Sequence, residues 1–151
     1  MNPTNVIEEG NARLKEIFAK HREFELIEEK IRLTEDVTSV DVETISACTS
    51  MITAYLSYLS GIIPKYTALA NSHYIYRKFS LMWEWNKLGD GFTGKKKDNE
   101  ALERTEQEHK DELIMRYIAD YLKNKYESYE RHVSILQSRL GILRNQMFRN
   151  E

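Results

Sequence analysis

Basic and aromatic side chains crowd residues 73–97, HYIYRKFSLMWEWNKLGDGFTGKKK. Arg77, Lys78, Lys87, Lys95, Lys96 and Lys97 can neutralise phosphates, and Tyr74, Trp83 and Trp85 offer flat faces on which bases stack. The six cations face only Glu84 and Asp90, so the stretch carries +4 within a chain whose net charge is −2. Phosphate neutralisation combined with ring stacking suits single-stranded nucleic acid better than a duplex. The plainer reading is a helix end followed by a solvated loop. Trp83 and Trp85, two apart, cannot share one face of a helix, so at least one is expected in the core.

Other chemistry finds little support. The histidines at positions 21, 73, 109 and 132 are scattered, with no ligand partner at helical spacing. The run Glu106, Glu108, Asp111 and Glu112 reads as a solvated helix face with internal ion pairs such as Glu106 with Lys110. Gly89, Gly91 and Gly94 precede lysines but follow no strand, so no phosphate-cradling loop is expected. Neither a catalytic triad nor a cofactor or metal motif stands out, and a non-enzymatic protein is expected. Cys48, the single cysteine, lies in an apolar helical pattern and reads as a buried thiol. The sequence begins MNPTNVIEEG, without the basic and apolar regions of a secretion signal. All of this suits a reducing cytoplasm.

The elements that must position these residues read as helices throughout, in one domain. Residues 1–37 predict a shorter acidic helix capped by Thr4 or Asn5. Residues 1–45 hold eleven acidic and six basic side chains, which reads as a soluble amphipathic helix or, alternatively, as a surface that meets a basic partner or a neighbouring subunit. From position 41 to 88, apolar residues step by three and four through Val42, Ile45, Cys48, Ile52, Tyr55, Leu59, Ile62, Tyr66, Leu69, His73 and Tyr76. This is the 3.5-residue repeat of a helix lying along a partner helix. Pro64 removes one backbone bond, so the long helix is expected to bend there, with a complete break as the alternative. Residues 89–98 read as a Gly/Lys loop, and 99–148 as a long last helix. Its late seam of Tyr129, Val133, Leu136, Leu140, Leu143 and Met147 predicts an oligomerisation face. Two long helices joined by a short loop predict a helical hairpin. So thin a hairpin leaves apolar seam uncovered, and copies of the same chain are the expected cover, giving an all-α homo-oligomer.

The order and spacing of these segments carry a resemblance. LIEEKIRLTEDV leads through a turn into VETISACTSMITAYLSYLSG. Then come the basic stretch YIYRKFSLMWEW, the loop KLGDGFTGKKK and the long last helix. Over Leu26 to Met147 the chain resembles the recombination mediators of T4-type phages, the UvsY family. Arg77 falls where the family's basic motif has a lysine; Phe79 falls where it has an arginine, with Lys78 beside it. The resemblance implies a non-enzymatic mediator in the cytoplasm of a phage-infected bacterial host. It would bind single-stranded DNA as a ring-like oligomer, displace the single-strand binding protein and load a RecA-like recombinase. Assembly would lie in the last helix. The rival reading is a helical scaffold, or an inhibitor of a host complex, that binds proteins only.

Overall fold

The computed structural model describes residues 3–19, 29 and 42–149. Among them the fold is all-α, without a strand. Its helices are α1 (Pro3–Ala19), α2 (Val42–Lys87), α3 (Gly94–Arg104) and α4 (Glu106–Arg149). The remainder of the acidic segment expected over 1–37 lies outside the described residues. Helix α1 already includes Pro3, ahead of the caps expected at Thr4 or Asn5, because a proline's missing N–H costs nothing in a first turn.

Helix α2 runs through Pro64 without interruption. The chain forms two compact units, one of residues Met1–Leu14 and Ile63–Tyr121, the other of Lys15–Ile62 and Leu122–Glu151. The division in α2 thus falls between Gly61 and Pro64, the two weakest helix formers in it. In the second unit Ile45, Cys48, Ile52, Tyr55 and Leu59 are buried. The Tyr55 ring meets Tyr129 at 5.3 Å between centroids, and Leu122 and Leu136 are buried with them.

In the first unit the seam departs from its expected course. Ile62, Tyr66 and His73 are only half-buried, Leu69 is exposed, and Tyr76 is 60% exposed. Ala70 is buried instead. A step of 3.5 residues falls behind a straight helix of 3.6 residues per turn by about 20° per heptad. Within the first unit the seam from Tyr66 through Leu69 to Tyr76 therefore turns outward, and Ala70, four residues after Tyr66, is buried in its place.

The glycine segment is shorter than expected. Leu88 N–H bonds the Trp85 carbonyl and Phe92 N–H bonds the Gly89 carbonyl, both at 3.3 Å, and buried Leu88 closes the end of α2. Helix α3 then begins at Gly94, so Lys95, Lys96 and Lys97 lie in a helical first turn, not in a loop. The last helix is also divided, at Thr105. The Thr105 hydroxyl donates to the Ala101 carbonyl at 2.8 Å, a local bond that bends helices. Backbone bonds still pass through the division, from Thr105 N–H to Ala101 and from His109 N–H to Thr105.

Helix α1 contributes its first part to the first unit. Lys110 pairs with Glu9, and the Tyr117 hydroxyl donates to Asn11 Oδ1 at 2.8 Å. Between them Gly10 lies so close to Tyr117 that a Cβ there would clash with the ring. The glycine that weakens α1 in sequence terms is what permits this contact.

Candidate nucleic-acid interface

The nine candidate DNA-binding residues all fall in the first unit, on different faces. Tyr74, Lys78 and Trp85 stand at i, i+4 and i+11 along α2, one face of a helix. Trp83 and Lys87 stand elsewhere on it. Lys95, Lys96 and Lys97 open α3.

Tyr74 is ringed by cations. Lys78 Nζ lies 4.6 Å from its ring centroid, Arg77 Cζ 5.8 Å and Arg116 Cζ 6.0 Å. Arg77 is the main departure from the expected site. Its Nε pairs with Glu112 Oε2 at 2.5 Å, and its side chain is only 21% exposed. Glu112 is buried, not part of a solvated run, and its other oxygen accepts from Arg116 at 2.7 Å. A buried carboxylate must be paired to persist, and Arg77 and Arg116 supply that pairing. Arg77 is therefore largely committed inside the fold. Arg116, absent from the sequence-based site, is the half-exposed guanidinium beside Tyr74. Its spacing from Glu112 shows an i, i+4 pair; nothing local shows that the pair faces Tyr74.

Trp85 ties the two helices around the loop. Its indole N–H donates to Asp98 Oδ1 at 3.0 Å, and Lys97 Nζ sits 4.8 Å from the ring centroid. Lys95 and Lys96 are exposed and form no ion pair among the described residues. The first turn of α3 contains no acidic residue, and Thr93 makes no side-chain cap. Three lysines at the positive end of a helix dipole disfavour the helix and concentrate positive potential. Backbone N–H groups of the same turn point the same way. The arrangement attracts anions next to an aromatic ring.

Neither tryptophan is core, contrary to expectation. Trp83 is 65% exposed and Trp85 39%. Trp83 lies with Tyr76, Phe79 and Met82 beside an open hollow of about 420 Å³ that Lys87 and Arg104 also line. Lys87 bonds Glu84 at 2.7 Å and lies 5.4 Å from the Trp83 centroid. Arg104 bridges Glu100 at 2.9 Å and Glu84 at 3.5 Å. The hydrogen bond from Lys87, then the nearby Arg104, hold the Glu84 carboxyl below the usual glutamate range. Lys87 is thus partly neutralised.

Of the expected assembly residues, Leu136 is buried within its own chain at 1% exposure and is not available to a second copy. Val133, Leu140 and Leu143 are half-buried, as is Tyr129, which packs on Tyr55. The Met147 side chain lies outside the described residues. The exposed large hydrophobic residues of α4 are instead Tyr121, Ile135, Ile142 and Phe148. No cluster of His, Cys, Asp or Glu among the described residues could hold a metal ion, and no helix among them is long and apolar enough to cross a membrane. Comparison with known proteins finds no matching family model, no matching curated protein and no matching solved structure.

Proposed function

We propose that this chain is a non-enzymatic, single-stranded DNA-binding protein of the mediator type. The observation that carries the reading is the Lys95–Lys97 run in the uncapped first turn of α3, beside Trp85. Lys95, Lys96, Lys78 and Arg116 supply the phosphate contacts. Tyr74 and Trp85 supply the rings, and Arg77 acts by positioning Glu112 and Arg116. Loading of a RecA-like recombinase and displacement of a single-strand binding protein, in the cytoplasm of an infected bacterium, rest on the order and spacing of segments described above. The long helices pair as a hairpin, supported by the Arg77–Glu112 pair in one unit and the Tyr55–Tyr129 contact in the other. The chain self-associates, supported by the apolar surface left on α2.

Titration of a labelled single-stranded oligonucleotide at several salt concentrations tests the reading. Each phosphate contact on a single strand contributes a slope of about −0.7 in log affinity against log salt. Replacing Lys95, Lys96 and Lys97 together by alanine should flatten that slope by roughly 1.4, the share of the two contacts assigned to Lys95 and Lys96. Trp85→Ala should weaken binding with the slope unchanged. No binding by the wild type at low salt would remove the DNA reading and leave the scaffold that binds only proteins, which the apolar surface of α2 favours.

A further inference from the structure

One face of α2 carries Ile75, Tyr76, Phe79, Met82 and Trp83, each more than half exposed. Arg77 and Lys78 stand off the Phe79 line, and at the Trp83 end the face is bordered by Glu84 and Lys87, which pair with each other. Small or uncharged Ser72 and Asn86 close its two ends. Contiguous large apolar side chains on a protein surface mark an interaction site.

The order of these residues says what covers them. Positions 75 and 83 lie four residues either side of Phe79, and positions 76 and 82 lie three residues either side. We infer that this face is an isologous interface, on which α2 of a second copy packs antiparallel about a two-fold axis at Phe79. Ile75 of one copy meets Trp83 of the other, Tyr76 meets Met82, and the two Phe79 rings meet at the axis. In an isologous contact each residue pairing must occur twice, once in each direction, and the apolar set satisfies that condition from both ends. The same register sets Ser72 against Asn86 and Asn71 against Lys87, so no like charges are opposed. Five half-exposed large side chains offer roughly 600 Å² per copy, which reaches the lower bound of about 1,200 Å² in total for a stable interface. The hollow beside Tyr76 and Trp83, lined also by Glu108 and by Glu84 with its partners Lys87 and Arg104, gives the opposing side chains room to seat. This inference rests on the self-association proposed above, gives it a face on α2 rather than on α4, and does not depend on DNA binding.

Sedimentation velocity of the full chain over a concentration series tests it. The wild type should assemble, and Phe79→Asp should raise the dissociation constant about a hundredfold or more, because two carboxylates would be buried unpaired at the axis. Circular dichroism should show unchanged helicity, since Phe79 is exposed in the single chain. Ile75→Glu and Trp83→Lys should each weaken assembly alone, and an equimolar mixture should recover it through the new opposite-charge pair. A wild type that stays a monomer at high concentration would overturn self-association and this interface together. A wild type that assembles, with Phe79→Asp of equal mass, would overturn only the interface. Assembly lost in Phe79→Asp but not recovered in the mixture would overturn the antiparallel register.

Discussion

The two halves of α2 share one backbone and one apolar spacing, yet they are used differently. From Ile45 to Leu59 each seam residue at steps of three and four is buried. Beyond Pro64 the same stepping brings Leu69 and Tyr76 to the surface, while α2 buries Ala70 and, across the unit, Ile114, Ile118 and the arginine-paired Glu112 are buried. The first half is held by a plain apolar core. The second adds ion pairs and ring–cation contacts to an apolar core of Leu88, Ala101, Ile114 and Ile118 drawn from other elements, and leaves one apolar face of α2 open. The spacing of apolar residues therefore marks a helix in both halves, and marks the core in only one.

The sharpest contrast between the halves is a pair of truncations. Leu59→Ala removes a side chain with no exposure and should cost about 2–5 kcal/mol. Phe79→Ala, measured at a dilution where copies are separate, should stay within about 0.5 kcal/mol of wild type. Urea unfolding followed by circular dichroism reads both. Comparable losses would mean that Phe79 is packed within the single chain.

A second variant tests what holds the other half. Glu112→Ala leaves Arg77, only 21% exposed, without its counter-charge. Breaking such a pair should cost about 3 kcal/mol by the same denaturation measurement. The triple lysine-to-alanine change at 95–97 should leave stability unchanged or slightly raised, since it relieves an unfavourable helix dipole contact. Opposite ranking would make the lysines structural and the glutamate a surface residue.

Gly10→Ala probes the docking of α1 in the same unit. Alanine favours a helix by up to about 1 kcal/mol over glycine. Crowding against Tyr117 costs about 1–3 kcal/mol, so the net change should be a loss of about 1 kcal/mol and a melting temperature lower by a few degrees. A rise in melting temperature would show that Tyr117 moves aside freely.

The smallest effect is expected at Glu84. Its carboxyl is held low by Lys87 and Arg104, so its folded pKa lies below its unfolded one. The stabilisation it gives is present above the ordinary glutamate pKa and is lost as pH falls through the lowered value. Glu84→Gln should slightly flatten the acid limb of the stability–pH profile and leave neutral pH almost untouched. A larger change at neutral pH than at acid pH would contradict the assignment.

Much of the architecture was legible because helix formation is local. The all-α class and the interruption between Lys87 and Gly94 followed from apolar periodicity, scarce proline and clustered glycine. The buried state of Cys48, Ile52 and Leu59 followed from the same periodicity. The basic character of residues 73–97 needed only composition. What the sequence by itself could not determine was direction. Packing within the first unit decided that Ala70 goes inside and Tyr76 faces solvent. Side chains remote in the chain decided that Arg77 serves Glu112, that Arg116 stands beside Tyr74, and that Gly10 admits the Tyr117 ring. Tertiary packing decided these points because a charge or ring is defined by what lies across from it, and that neighbour is not encoded in local spacing.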